Sequence, residues 1–440
     1  MLRSKHKSIA GIVILAVMLA ACGKTNPATN STQDAPNAAA PKPLSTEPAT
    51  IVLYNQQLYS KEEMERIFIE PVKKKFPHIT LDIIYPGKGT QLADLIAAGT
   101  IPDMFFFKPY IEELIDADIP LSLDDLIKQS QYDLNKIDKV YLDAIRSYSP
   151  DGKLLGVPVT SQFYALWYNK DIFDKFGVPY PKDGMTWEET IELAKQVTRN
   201  VDGVQYRGID PNSYFNFSSA LSLPLIDPKT EKPIISDKWK YVFETMMKVY
   251  NIPGNKPAKL VDNQLNSVFA KDMTLAMIPS FNILSSLKDA SAKGLNWDVA
   301  QAPSHKDAPN KYYQVDSHIL VVSKTSKYKE QVMQVIMAAT AEDTQVALSR
   351  AGRMAAINSP EVKKQFAADL PYAQGKNMQG IFKSQPSAFT LQHKYNGLIR
   401  GPIKSAFQDV FDGKTDINTA LRTAEEKANA AVQQAKETGK

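Results

Sequence analysis

Thr50-Ile-Val-Leu-Tyr-Asn-Gln-Gln-Leu-Tyr-Ser-Lys-Glu-Glu63 opens the folded part of the chain and sets its class. Ile51-Val-Leu-Tyr-Asn55 is short, apolar and β-branched, which predicts a buried strand. Ser60-Lys-Glu-Glu63 has the spacing of a capping box: the serine accepts from the N3 amide and Glu63 reaches back, starting a helix toward Lys75. Pro71 predicts a kink or stop in it. Lys73-Lys-Lys75 reads as a solvated last turn complementing the helix dipole. A second strand is expected at Ile79–Ile84, a short helix at Thr90–Ala98 and a third strand at Asp103–Phe106. This βαβαβ order predicts a mainly parallel sheet with helices on both faces, whose ligands sit beyond the carboxyl ends of the strands.

Further along, Phe163–Tyr168 reads as a strand, and Thr186-Trp-Glu-Glu189 is a second capping box opening a helix to about Arg199. Helices are expected at Asp237–Val249, Asp262–Ala270, Ser280–Ala290, Tyr328–Ala339 and Glu342–Arg350, with strands at Thr274–Ile278, Asn296–Ala300 and Val315–Val322. The C-terminus reads as helical, ending in Asp416–Ala435.

With 440 residues and 43% hydrophobic content, the chain is long enough for two lobes with a core each. The +4 charge owes most to the N-terminus: without Arg3, Lys5 and Lys7 the balance is 49 basic to 48 acidic residues. A near-neutral body gives no electrostatic basis for nucleic-acid partners.

Ile9 to Ala21 is an unbroken apolar run of 13 residues behind a basic start, too short to span a bilayer and suited to a signal peptide over 1–21. It ends in Leu19-Ala-Ala-Cys22, which resembles a lipobox. Cys22, the single cysteine, is therefore expected to be lipidated and to tether the protein at the extracytoplasmic face of the cell membrane. That leaves no cysteine for a disulfide, zinc cluster or nucleophile. Residues 22–49 read as the lipidated cysteine and a disordered linker, since Ala, Pro, Thr, Asn and Ser make up 20 of the 27 residues after the cysteine.

Catalytic signatures are scarce. The five histidines (6, 78, 305, 318, 393) are scattered, acid pairs such as Glu62/Glu63 and Glu112/Glu113 fall on helix starts, and there is no G-x-S-x-G, P-loop or G-x-G-x-x-G. No metal, cofactor or enzymatic activity is expected. Tyr312-Tyr313 has the residue type that holds ferric iron as phenolates, but reads better as an aromatic pair entering the strand at Val315.

Several stretches together resemble the family 1 extracellular solute-binding proteins, carbohydrate receptors of ABC importers that include the maltodextrin-binding proteins. They are Ala97-Ala-Gly-Thr-Ile-Pro-Asp103, Gly152-Lys-Leu-Leu-Gly-Val-Pro158, Ala165-Leu-Trp-Tyr-Asn-Lys-Asp171, Thr186-Trp-Glu-Glu189, Val268-Phe-Ala-Lys271 with Leu275-Ala-Met277, Trp297 to Pro303, Ile319–Lys327, Gly352, and Gly413 with Ala420-Leu421, in the family's order across 50–440. One departure is Ala270-Lys-Asp272 where the family usually has Gly-Lys.

The resemblance implies an α/β, two-lobed periplasmic-binding-protein-like (type II) fold with a hinge. Crossings are expected near Thr160–Gln162, Pro303–Tyr313 and Arg350–Arg353, giving lobe 1 as 51–161 plus 305–352 and lobe 2 as 162–304 plus 353–440. It implies capture of a sugar or oligosaccharide by lobe closure and delivery to ABC permease transmembrane subunits, by a monomer that uses no cofactor. Carried over from maltodextrin-type receptors, the ligand-binding candidates are Tyr54, Gln56, Phe107, Tyr110, Gln162, Tyr214 and Phe281, with Asp316 and Arg353 near the later crossings. Gln162 stands where those receptors carry an acid. Trp167, Trp187, Trp239 and Trp297 read as packing residues, leaving stacking to Tyr and Phe. The alternatives are a surface-tethered carbohydrate-active enzyme, or the same fold binding iron, a polyamine or a peptide.

Overall fold

The computed structural model describes residues 44–438 except 58, 109, 236, 261–267 and 392. The expected signal peptide, Cys22, most of the linker and the start of the Asp262–Ala270 helix lie outside the described residues.

Ser60 and Glu63 form the capping box: the serine hydroxyl accepts the Glu63 amide at 3.2 Å, and the Glu63 carboxylate accepts the Ser60 amide at 3.0 Å. Such a cap is worth about 1 kcal/mol. The helix does not stop at Pro71. It runs through Lys61–Met64, widens into a π-helical turn at Glu65–Ile69, and continues as Glu70–Lys75. Proline lacks the amide a regular turn would need, and the wide turn just before it absorbs the misfit.

The first sheet has the order β12-β4-β11-β3-β1-β2, built from β1 (Ala49–Asn55), β2 (Ile79–Ile84), β3 (Met104–Phe107), β4 (Val157–Ser161), β11 (Ser317–Val322) and β12 (Met354–Ala355). The second has the order β6-β7-β8-β5-β9, from β5 (Ala165–Asn169), β6 (Arg199–Val201), β7 (Val204–Ile209), β8 (Leu275–Ser280) and β9 (Trp297–Gln301). A two-stranded ribbon pairs β10 (Lys311–Gln314) with β13 (Gln385–Ser387).

Within the two large sheets parallel pairing is confined to β2-β1-β3 and β7-β8, and the other pairs are antiparallel. The expectation of a mainly parallel sheet holds for the β1, β2 and β3 it was read from and is corrected for the whole sheet, and the reason is topological. β4 leads the chain out of the first lobe and β11 brings it back, so the two must run in opposite senses. The same holds for β5 and β9 in the second lobe. In consequence the carboxyl ends of β1, β3, β4, β7, β8 and β9 and the amino ends of β5 and β11 meet at one junction.

Each lobe has its own core. Ile51, Leu53, Phe68, Phe105, Phe106, Val321 and Ile336 are fully buried in the first, and Phe243, Ile399 and Ile403 in the second. All four tryptophans are buried as packing residues, and Trp167 and Trp297 lie 5.7 Å apart on the other face of the second sheet. Gly208 on β7 lets the helix Trp187–Val197 come close: a Cβ there would sit 2.2 Å from the Ala194 carbonyl oxygen.

Two boundaries differ from the sequence expectation. Ser45 and Glu47, expected in the linker, are held against the first lobe: Gln334 Nε2 donates to the Ser45 carbonyl at 2.7 Å and Gln331 to Glu47 at 3.4 Å. Met354–Ala355 still pairs with β4, so the chain remains on the first sheet past Arg350–Arg353.

Candidate functional site

The junction is held together by the chain passages themselves. The Gln162 amide donates to the Asp316 carbonyl at 2.8 Å and the Ser161 hydroxyl to the same oxygen at 3.3 Å, joining the outgoing passage after β4 to the returning one before β11.

β10 enters this junction, and strand alternation sends its two tyrosines apart. Tyr312 bonds to Tyr141 in the first lobe. Tyr313 meets Phe281, at 4.8 Å and 71°, and Phe215, at 6.2 Å and 70°. Phe281 in turn lies edge-on to Tyr164 at 5.3 Å. Behind it, the Trp167 indole donates to the backbone carbonyls of Phe281, at 3.1 Å, and Ser280, at 3.3 Å. A tryptophan read only as packing thus also fixes the backbone of a junction aromatic. The Arg400 guanidinium sits 4.5 Å from the Phe215 ring centre.

From the first lobe, Tyr110 extends beyond β3, and its hydroxyl accepts Gln314 Nε2 at 2.8 Å. Its ring lies 6.0 Å from Phe389, which is 5.6 Å from Tyr148. Burial, reinforced by the Asp316 charge, pushes the Tyr110 phenol up to about 12. Burial also pushes the Asp316 carboxyl up to about 6, against the pull of Lys108. Flat apolar rings beside amide, phenol and carboxylate groups match a ligand with an apolar face and a hydroxylated rim.

Four candidates, Tyr110, Gln162, Phe281 and Asp316, come together here. Gln56 follows β1, partly buried, its amide donating to the Phe106 carbonyl at 3.1 Å. Tyr54 and Phe107 are each 1% exposed in the first core and present no face to a ligand in this structure. Tyr214 packs among Trp239 and Phe407, its hydroxyl donating to the Arg400 carbonyl at 3.4 Å. Arg353 forms an ion pair with Glu63 and lies 4.8 Å above the Tyr59 ring. The sequence reading missed Tyr313, Tyr164, Phe215, Gln314 and Phe389. Tyr313 carried a signal, its place just before the returning strand; Phe215 and Phe389 come from distant segments and carried none. The divergence of Tyr312 and Tyr313 keeps them from sharing one ion, and no group of three potential metal ligands gathers among the described residues. A pocket of about 470 Å³ lies away from this junction, among Tyr214, Tyr250, Lys259, Lys404 and Phe407.

Residues 60–346 match the family model for bacterial extracellular solute-binding proteins. The multiple sugar-binding protein of Streptococcus mutans is 24% identical over 200 residues, 44% of this chain and 41% of that one. The sn-glycerol-3-phosphate-binding periplasmic protein of Agrobacterium fabrum is 40% identical over 75 residues, 17% of each chain. These matches therefore span less than half the length of either relative. Among solved structures, an ABC substrate-binding protein from Listeria monocytogenes in complex with cycloalternan superposes with a TM-score of 0.67 at 20% identity, covering 88% of this chain and 100% of that one.

Proposed function

The chain belongs to the bacterial extracellular solute-binding proteins, and from that membership we propose that it captures a sugar or oligosaccharide for an ABC importer. The observation that carries this reading is the Tyr313–Phe281–Tyr164 aromatic group set against Tyr110, Gln162 and Asp316 at the junction of two sheets. The sugar-binding relative and the cycloalternan complex support it. Rings would take the apolar faces of the pyranose, and the amide and carboxylate its hydroxyls. A ligand touching both lobes favours the closed arrangement by its extra affinity for that arrangement, and by no more.

In this proposal residues from β1 through Ser161, rejoined by β11 to β12, form one lobe, and the remainder of the described residues forms the other. The closed protein docks as a monomer on permease subunits. Cys22 is lipidated and holds the body at the extracytoplasmic face of the membrane; no helix among the described residues is long and apolar enough to cross one. Mass spectrometry of the native protein, showing a diacylated Cys22 or an unmodified one, decides the anchor.

The binding reading is tested by a thermal-shift panel of mono- and oligosaccharides. A ligand at a hundred times its Kd adds about 2.7 kcal/mol to the native state and raises the midpoint. A flat panel overturns it, whereas release of shorter sugars during incubation favours the carbohydrate-active enzyme. A second reading, a phosphorylated polyol, draws on the 40% identity to the glycerol-3-phosphate-binding protein and on Lys108 and Arg400 near the junction. Adding sn-glycerol-3-phosphate to the panel distinguishes it.

A further inference from the structure

Between β13 and the helix Asn396–Phe411 the chain passes through residues 388–395, and both ends of this passage are fixed on the second lobe. The Ser387 hydroxyl donates to the Ser219 carbonyl at 2.8 Å, the Ser222 hydroxyl donates to the Ala388 carbonyl at 2.8 Å, and Tyr395 is buried in the second core. Phe389 goes the other way. Among the described residues it is the one apolar side chain beyond Val362 that packs against the first core. Its ring lies 6.0 Å from Tyr110 and 5.6 Å from Tyr148, within the range over which aromatic pairs attract.

A polar link runs beside the ring. Gln314, buried at the junction, donates from Nε2 to the Tyr110 hydroxyl at 2.8 Å and accepts the Thr390 amide on Oε1 at 3.4 Å. Residues 389 and 390 therefore reach Tyr110 twice, by ring contact and through one side chain of β10. Both links are made of the protein's own groups, so their strength does not depend on what enters the junction.

We propose that Phe389 is an interlobe latch: seated against Tyr110 and Tyr148, it biases the empty protein toward the arrangement in which the lobes approach. The latch goes beyond the sugar-receptor reading, and its bearing on capture rests on that reading. Apparent affinity is the intrinsic affinity scaled by the fraction of protein in the competent arrangement, so a latch raises affinity without touching the ligand. Each aromatic pair shifts an equilibrium constant by roughly two- to twelvefold. Losing both pairs is expected to lower the closed-to-open ratio of the empty protein at least about fivefold.

The test is small-angle scattering of the full chain without ligand, with Cys22→Ser to exclude a lipid, for the parent and for Phe389→Ala, Phe389→Tyr and Tyr148→Ala. Phe389→Ala is expected to have a larger radius of gyration than the parent. Tyr148→Ala, which removes part of the seat from the opposite lobe, expands likewise, while Phe389→Tyr keeps both ring pairs and stays compact. Urea unfolding accompanies each variant; if one alanine variant loses its cooperative transition, the other carries the test. Equal scattering from the parent and the alanine variants overturns the proposal whatever the sugars do, and so does expansion of Phe389→Tyr.

Calorimetry with maltotriose and mannotriose gives the second arm. A latch acts before the ligand arrives, so Phe389→Ala is expected to weaken both sugars by the same factor, roughly twofold to tenfold. Weakening that differs between the two sugars, without expansion of the empty protein, makes Phe389 a ligand contact and overturns the latch. Expansion with unchanged affinity for a sugar that binds overturns it too, because the bridged arrangement is then not the one that captures. If Phe389→Ala expands and no sugar of the wider panel binds the parent, the latch stands and the receptor reading falls.

Discussion

Gln162 and Asp316 lie 154 residues apart in sequence, yet the amide of one donates to the carbonyl of the other at 2.8 Å. The bond ties the passage that leaves the first lobe to the one that returns, and it uses only backbone atoms. The Gln162 side chain is left to the junction. Gln162→Ala is therefore expected to keep the bond and change stability by less than about 1 kcal/mol, while weakening sugar binding by roughly 1–2 kcal/mol. Urea unfolding and calorimetry on the same variant check both halves; a large stability loss would mean the side chain is structural.

Phe281 and Trp167 separate contact from support. Phe281→Ala removes a partly exposed ring and the edge contacts to Tyr164 and Tyr313, each worth about 0.5–1.5 kcal/mol, and is expected to lower sugar affinity at least roughly tenfold. Trp167→Phe keeps a ring in the core but loses the indole donor to the Phe281 and Ser280 carbonyls. A stability loss of about 1–3 kcal/mol with a smaller affinity loss is expected. Equal affinity losses would make Trp167 as much a contact as Phe281.

Arg353 anchors the first helix through its ion pair with Glu63. Burial alone would raise the Glu63 carboxyl, but Arg353 and the Ser60 amide hold it below its ordinary value. A depressed acid contributes stability that is present above its unfolded pKa and is lost as pH falls through the folded one. Arg353→Ala should cost roughly 1 kcal/mol at pH 7, discounted because both side chains remain partly exposed, and less near pH 3. Melting curves at the two pH values check this.

His305 is buried and neutral. Its Nε2 donates to the Phe217 carbonyl at 2.9 Å, leaving Nδ1 to accept the Tyr241 hydroxyl at 3.2 Å. Burial pushes the ring down to about 4, so its stabilisation is complete above pH 6.5 and is lost as pH falls toward the folded value. The stability advantage of wild type over His305→Gln is expected to shrink by about 2 kcal/mol between pH 7 and pH 5. An imidazole resonance that titrates near 6.5 in the folded protein would sink this assignment.

Local signals carried much of the fold. The capping boxes at Ser60 and Thr186 form as read, because a cap depends on residues three apart and little else. Of the two outcomes read for Pro71, the stop does not occur, because a π-helical turn, invisible to simple helix periodicity, lets the helix continue past it. In the proposed site, Tyr110 and Phe281 stand just past strand ends, where the sequence reading placed its candidates. Tyr54 and Phe107 were not separable from them, since one strand position more or less decides whether a ring enters the core.

By itself the sequence determined the elements, their order and the family, since apolar periodicity, caps and ordered motifs are all written over short distances. Only the tertiary structure decided which strands oppose one another and which rings share the junction. Those choices depend on where a chain that leaves a lobe must re-enter it. That constraint brings Phe215, Tyr313 and Phe389 into one neighbourhood from segments with no local reason to meet.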